Sequence, residues 1–209
     1  LTAWLQALRL QFYPMTWMAY SAGALLALGG GGRLDALAYA LGYALLFALE
    51  AATVFINDRV DVESDRRNAH HGPFSGGSRV LVDGPLTPAR HARGIGVALT
   101  ATAALAGALL AHAGTPALAL ALLLLALLAL GYTAPPLRLS WRGWGEATVA
   151  VTRSVGVSGV GWLAQGGAPG AALPWLLALP LGLAVLPAII LAGLPDRAAD
   201  AAVGKRTLA

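Results

Sequence analysis

Long apolar stretches separated by short polar connectors run through most of the chain. A helix needs about 20 mostly apolar residues to cross the hydrocarbon core of a bilayer, and this criterion selects six candidate spans. They cover roughly residues 12–30, 36–56, 94–113, 116–132, 147–165 and 171–194. No stretch alternates polar and apolar residues for long enough to predict a barrel strand. The pattern therefore predicts an all-α, polytopic transmembrane helical bundle that forms a single domain over residues 1–209.

Composition favours the same class of protein. Hydrophobic residues make up 57% of the chain and charged residues 11%, whereas soluble domains carry about 25% charged residues. The mean hydropathy is +0.68. These values disfavour a soluble enzyme, a nucleic-acid binder and a disordered chain. Because the chain has no cysteine, a disulfide framework, a thiolate metal site and a cysteine nucleophile are excluded.

Charged residues collect on one side of the predicted bundle. Every lysine and arginine except Arg33 and Arg153 lies in the N-terminal lead, the second or fourth connector, or the C-terminal segment. Every acidic residue except Asp35 and Glu50 lies in those same segments. The positive-inside rule places this side in the cytoplasm. We therefore expect a multi-pass membrane protein whose exposed chemistry faces the cytoplasm.

Two acidic clusters follow the second and sixth predicted spans. If the helix continues through the first cluster, Asp58, Asp61 and Asp65 share one face at spacings i, i+3 and i+7. In the second cluster, Asp196 and Asp200 share a face at i, i+4. Oxygen ligands favour a hard cation such as Mg²⁺, which commonly combines carboxylates with substrate phosphate oxygens. Facing each other, the clusters would hold a pair of ions around a diphosphate. The alternative is that these acids are simply solvated at the ends of membrane helices.

Basic residues on the same side are candidates for binding a diphosphate. They are Arg66, Arg67, Arg79, Arg138, Arg142, Lys205 and Arg206. The positive-inside bias alone explains most of them. Arg79 and Lys205 are favoured because neighbouring glycines let the backbone close over phosphate oxygens.

Two ionisable residues lie inside predicted spans, where charged groups usually face the bundle interior. Glu50 and Arg153 either pair with each other or line a chamber in which an acceptor binds. Trp141 and Trp144 lie near one membrane interface, as an aromatic belt predicts.

Three motifs follow the second, fourth and sixth spans. The first is the run NDxxDxxxD at residues 57–65, and the last is DxxxD at 196–200, followed by GKRTL at 204–208. Between them lie YTAPPLRL at 132–139 and GWGE at 143–146. Together these motifs resemble the two aspartate-rich motifs and the intervening connector of the UbiA-type intramembrane prenyltransferases.

The resemblance implies Mg²⁺-dependent transfer of an isoprenyl group from a prenyl diphosphate to an aromatic acceptor, within a chamber in a bacterial-type cell membrane. Prenyl diphosphate, aromatic acceptor and lipid bilayer are the implied partners, and nucleic acid is not. By motif position, the catalytic and metal-binding residues would be Asp58, Asp61, Asp65, Asp196 and Asp200. The diphosphate-binding residues would be Asn57, Arg79, Arg138, Arg142 and Lys205.

The acceptor is the least constrained part of this interpretation. The SGGSRVL loop at residues 75–81 and the GKRTL segment at 204–208 are most similar to the menaquinone branch, which uses 1,4-dihydroxy-2-naphthoate. The alternatives within the family are 4-hydroxybenzoate or another acceptor. The family resemblance also implies that this chain is the N-terminal part of a nine-helix fold, without its last three helices.

Other classes remain as alternatives. A multi-span transporter would place its acidic residues near the bilayer midplane, whereas these lie at helix ends. A soluble isoprenyl diphosphate synthase would not need six apolar spans. A CDP-alcohol phosphotransferase carries a single acidic motif, and a purely structural membrane protein would leave two acidic clusters unexplained.

Overall fold

A computed structural model describes residues 1–30 and 32–209, and within these residues the chain forms helices and turns without a β-strand. The helices are α1 (Thr2–Leu8), α2 (Tyr13–Ala27), α3 (Ala36–Val60), α4 (Val62–Arg67), α5 (Pro88–Ala113), α6 (Pro116–Gly131), α7 (Gly145–Val151), α8 (Val157–Ala164), α9 (Leu173–Gly193) and α10 (Arg197–Ala202). The predicted all-α fold is confirmed. Gly31, in the first predicted connector, lies outside the described residues.

Three helical stretches are long and apolar enough to cross a membrane, namely α3, α5 and the continuous stretch Leu173–Ala202. Helix α6 is a shorter apolar helix. The remaining two predicted spans are helical but interrupted. The first consists of α2 with a 3₁₀ turn at each end, at Leu10–Phe12 and at Leu28–Gly30. The fifth is broken between α7 and α8 by a π-helical turn at Thr152–Gly156, a feature that often marks functional sites.

Two helices extend beyond their predicted bounds because polar residues form their first or last turns. Helix α5 begins at Pro88, where the Thr87 hydroxyl accepts a hydrogen bond from the Arg90 amide at 3.3 Å, and proline suits the first helical turn. Helix α3 continues to Val60. Apolarity alone predicts neither end, and the longer α3 brings Asn57 and Asp58 into a helical turn.

Close contact between α2 and α8 forms the centre of the bundle. Tyr20 of α2 and Val160 of α8 are both fully buried. A methyl group added to Gly161 would overlap the Tyr20 carbonyl oxygen, so a glycine is required for this approach. Small residues commonly let membrane helices pack this closely.

Leucines on α6 and α9 point away from the bundle. The exposed members of this set are Leu120, Leu123, Leu124, Leu127, Leu176, Leu179, Leu183 and Leu191. Helix faces that expose this many leucines are unusual on soluble monomers. They are the faces that lipid tails would cover.

Candidate active site

The first acidic cluster occupies the junction between α3 and α4. Asp58 lies in the last turn of α3 and accepts hydrogen bonds from the Ser78 amide at 3.0 Å and from the Ser78 hydroxyl. Asp61 forms the junction itself and accepts from Trp141 Nε1 at 2.8 Å and Asn57 Nδ2 at 2.9 Å. Both carboxylates are buried. The site therefore draws on loops far away in sequence as well as on its own helix.

The second acidic cluster lies where α9 passes into α10. The Asp196 carboxylate accepts a hydrogen bond from Asn68 Nδ2 at 2.5 Å. The buried Asp200 accepts one from the Ser64 hydroxyl, also at 2.5 Å. Since Ser64 belongs to α4, these contacts join α4 to α10. The two acidic clusters therefore meet in the folded chain.

Lys205 connects the two clusters directly. Its ammonium nitrogen lies 2.9 Å from Asp61 Oδ2 and 3.3 Å from Asp200 Oδ1, and all three side chains are nearly inaccessible to solvent. Burial alone would lower the pKa of Lys205, but the two carboxylates outweigh it and raise that pKa above its ordinary value. Lys205 thus remains charged and partly neutralises the centre of the site.

Asp65 is buried close to other carboxylates. Burial, and then repulsion by Asp61 and Asp58, raises the pKa of Asp65 to about 8. The backbone of the following loop packs onto this carboxylate at Gly77, where φ is +66° and an added methyl group would overlap Asp65. A buried carboxylate with a raised pKa indicates a place where additional positive charge would be stabilising.

The donor set fits Mg²⁺, although the side chains are not arranged as a ready-made metal cage. No group of three or more acidic or histidine side chains among residues 1–30 and 32–209 forms such a cluster. The cause is visible in the contacts, since Lys205 occupies Asp61 and Asp200 while Ser78 occupies Asp58. The ligands on offer are carboxylate oxygens, which Mg²⁺ prefers and commonly shares with substrate phosphates.

A large cavity opens from this acidic mouth into the bundle. Asn57, Asp61, Asp65, Asp196, Asp200 and Lys205 line it among the residues predicted for the site. The space between its lining residues, counted with the open mouth, is about 1470 Å³. Apolar side chains including Leu46, Leu49, Leu125 and Ile189 form the deeper walls.

Three predicted diphosphate-binding arginines lie away from the cavity wall. Arg79 forms an ion pair with Asp83 at 2.9 Å and also donates to the Asp65 carbonyl oxygen. The guanidinium of Arg138 stacks on the ring of Trp141, 3.9 Å from its centre. Arg142 donates to a backbone carbonyl at 3.2 Å. These contacts engage the three side chains elsewhere, so of the predicted basic residues only Lys205 lines the described cavity.

Two residues of the site are missing from the sequence-based prediction. Arg9 lines the cavity, and its Nε atom is buried without a hydrogen-bond partner. It belongs to the N-terminal lead, whose positive charge the positive-inside rule uses only to orient the chain. Trp141 holds Asp61 by a hydrogen bond, so the aromatic-belt interpretation does not account for it. No local sequence signal marks either residue, because both reach the site through tertiary packing.

Glu50 and Arg153 pair with each other, and both also line the cavity. The Arg153 guanidinium lies 2.5 Å from Glu50 Oε1, and both side chains line the cavity. The Thr16 hydroxyl donates to the other Glu50 oxygen at 2.6 Å. Glu50 precedes Asp61 by eleven residues, or about 16 Å along a helix. This ion pair therefore forms a polar position deep in an otherwise apolar chamber.

A solved structure shares this fold. It is described as a UbiA homolog from Archaeoglobus fulgidus bound to GPP and Mg²⁺, and it matches with a TM-score of 0.71 and 19% sequence identity. The match covers 98% of this chain and 67% of the other chain. No curated protein sequence matches. The sequence profile described as the UbiA prenyltransferase family matches residues 16–209, and this chain therefore belongs to the UbiA prenyltransferase family.

Proposed function

We propose that this chain transfers an isoprenyl group from a prenyl diphosphate to 1,4-dihydroxy-2-naphthoate or a similar aromatic acid, with Mg²⁺ as cofactor. Family membership implies prenyltransferase activity and an integral membrane location. The observation that carries the more specific proposal is the meeting of the two acidic clusters around Lys205 at the mouth of an apolar chamber. Residues 1–209 would form one such domain, with the acidic mouth in the cytoplasm of a bacterial-type cell.

The acidic mouth would bind the diphosphate end of the donor. Asp58, Asp61, Asp65, Asp196 and Asp200 would hold Mg²⁺, which when bound would neutralise the charge that develops on the departing diphosphate. Lys205 and Arg9 would donate hydrogen bonds to diphosphate oxygens, because charge-assisted bonds to phosphate are the strong ones. Asn57, which donates to Asp61, would orient that carboxylate. Arg79, Arg138 and Arg142 remain candidates that would have to leave their present partners.

The chamber would receive the rest of the substrates. Its leucine-lined walls suit an isoprenyl tail and would exclude water from the allylic carbon as the C1–O bond breaks. Preorganised charge near that carbon acts strongly in a water-poor site. The acceptor would approach from the chamber side, because the diphosphate fills the mouth.

The direct test supplies membranes containing the full-length protein with labelled prenyl diphosphates and a panel of aromatic acids, with and without Mg²⁺. We expect an Mg²⁺-dependent product whose mass identifies both substrates. Asp61→Ala and Asp196→Ala should abolish transfer while the protein remains inserted in the membrane. Asp35→Asn, an acidic residue outside the site whose replacement still suits a helix cap, is the matched control.

The outcome also separates the alternatives. Product formed only with 4-hydroxybenzoate would replace the naphthoate acceptor and leave the reaction class intact. Near-normal transfer by both alanine variants would refute the proposed metal–diphosphate site. Substrate uptake into vesicles without any release of diphosphate would favour a transporter, although the acidic residues of this chain lie at helix ends.

A further inference from the structure

Glu146 is a buried carboxylate with one unused oxygen that belongs to the cavity wall. It lies in the first turn of α7, where Oε1 accepts a hydrogen bond from the Leu208 amide at 2.8 Å. Its Oε2 atom is buried and has no hydrogen-bond partner. The side chain is 6% exposed and lines the cavity. Leaving a buried polar atom unpaired is costly, and more so for a charged group, so this oxygen suits a ligand.

Glu146 is held in place by the segment that also carries Lys205. The Arg206 amide donates to the Trp141 carbonyl at 3.2 Å, and the Gly143 amide donates to the Arg206 carbonyl at 3.1 Å. These bonds lay the C-terminal segment beside the loop that precedes α7. Lys205 therefore points to the acidic clusters while the backbone at Leu208 positions Glu146. The two side chains lie on adjacent parts of one cavity wall.

Glu146 lies between the acidic mouth and the deep ion pair of Glu50 and Arg153. Arg153 follows Glu146 by seven residues, which places it about 10 Å further along a helix. Lys205, Asp61, Glu146 and Arg9 are the charged side chains that act on Tyr132, and all five residues line the same cavity. A diphosphate bound at Lys205 would therefore place its first isoprenyl carbon beside this part of the wall.

The other carboxylates of the described cavity already have partners or roles. Glu50 is paired with Arg153, and Asp61 and Asp200 share Lys205. Asp65 and Asp196 belong to the proposed metal–diphosphate site. Glu146 is set apart from them because it belongs to α7, outside both acidic clusters, and combines a place in the cavity wall with a carboxylate oxygen that has no partner.

We propose that Glu146 is the general base that accepts the ring-hydroxyl proton of the aromatic acceptor during prenyl transfer. This inference rests on the proposed function. The C1–O bond of the donor breaks with its electron pair leaving on the diphosphate, while ring π electrons form the new C1–C bond. The positive charge gained by the ring is removed when the hydroxyl proton passes to Glu146 Oε2, which gives a neutral dienone. The attacked carbon then loses a proton to solvent, or loses CO₂, which restores the aromatic ring as a phenolate, and Glu146 returns its proton to the phenolate oxygen.

The substrate class follows from this geometry. A base at this position serves an acceptor with a hydroxyl conjugated to the attacked carbon, and gives no advantage to an acceptor without one. A phenolic hydroxyl has a pKa near 10, so at neutral pH it needs a base to lose its proton. The acceptor class that this base serves is therefore a hydroxyaromatic compound.

Glu146→Gln is the decisive variant because the amide keeps an oxygen for the Leu208 amide and nearly the same volume. With geranyl diphosphate, Mg²⁺ and either 1,4-dihydroxy-2-naphthoate or 4-hydroxybenzoate, we expect kcat to fall about 100-fold or more, as for loss of a general base. Retention of labelled geranyl diphosphate should stay at the wild-type level. The residual rate should rise about tenfold per pH unit toward the pKa of the acceptor hydroxyl, whereas the wild-type rate stays flat.

A second acceptor and a control sharpen this test. A ring-fluorinated 4-hydroxybenzoate, with a more acidic hydroxyl, should recover part of the lost rate in Glu146→Gln and change the wild-type rate little. Asp35→Asn makes the same chemical change outside the cavity and should behave as wild type. Normal transfer by Glu146→Gln beside an active wild type would show that Glu146 is not the general base. A parallel loss of donor retention would show the same. Either result would leave the proposed function standing. Absence of transfer by the wild type with every acceptor would instead overturn the proposed function.

Discussion

Replacing Lys205 with methionine removes the ammonium group that joins the two acidic clusters and retains a chain of similar length. Each of its contacts, at 2.9 Å to Asp61 and 3.3 Å to Asp200, corresponds to about 5 kcal/mol of Coulomb energy at an effective dielectric constant of 20. Part of this Coulomb energy is offset, because folding of the methionine variant does not have to remove an ammonium group from water. Removing one partner of a buried ion pair typically costs about 3–5 kcal/mol, and we expect a loss of stability in that range.

Thermal unfolding of the purified protein in detergent measures this loss. For a chain of this size, 1 kcal/mol corresponds to a shift of about 2–4 °C in Tm, so the metal-free variant should unfold about 10 °C below wild type. Mg²⁺ should restore more stability to Lys205→Met than to wild type, because the divalent ion then meets two unpaired carboxylates. Stabilisation by a ligand that binds only the folded state follows from mass action.

Arg206→Met is the matched control for this experiment. Arg206 is the next residue in the chain, and its side chain is exposed, so the variant should unfold within about 2 °C of wild type, as most surface changes do. An equal loss of Tm in both variants would show that the charge of Lys205 is not the cause. An unchanged Tm in Lys205→Met would refute the argument that the acidic clusters depend on this residue.

Two further pairs of variants, each with its own control, test the helix packing and the cavity. Gly161→Ala should destabilise the protein by about 1–3 kcal/mol through overpacking, since its methyl group would overlap α2, while Gly107→Ala, with open space around it, should be neutral or gain up to about 1 kcal/mol. Equal unfolding temperatures for the two would contradict the close α2–α8 approach. Arg9→Ala should raise the KM for geranyl diphosphate about tenfold or more, since bonds to charged groups contribute about 1.5–3 kcal/mol, whereas Arg33→Ala should leave it unchanged. Enzyme kinetics at fixed acceptor concentration would detect the difference, and identical KM values would exclude Arg9 from the donor site.

The helical framework could be predicted because burial in lipid makes each span visible as an apolar run. The ends of the helices could not, since they depend on polar residues that cap or extend a turn. Thr87 begins α5 earlier than predicted. Asn57 and Asp58 belong to the last turn of α3 although they lie beyond its apolar run. The π-helical turn at Thr152–Gly156 could not be predicted either, because its residues carry no distinct hydrophobic pattern.

The site could be predicted only as far as local spacing and topology reach. The intervals within residues 57–65 and 196–200 place each acidic set on one face, and an even number of spans between them returns the chain to the same side. The contacts that complete the site lie beyond that reasoning. Lys205 meets Asp61 across 144 positions of sequence, and Trp141 reaches it across 80. Such pairs depend on how the helices pack, which spacing does not specify.

Burial also separates structural charges from those that await a substrate. In a chamber of low polarity, a charged side chain is stable when it has a partner of opposite charge or hydrogen bonds that satisfy it. Glu50 with Arg153 meets this condition, and that pair would persist whether or not substrate is bound. Arg9 and Glu146 meet it only in part, since each retains a buried polar atom without a partner. One carries positive charge and the other negative charge into the same cavity, which matches the two needs of prenyl transfer, an anionic diphosphate to bind and a proton to remove.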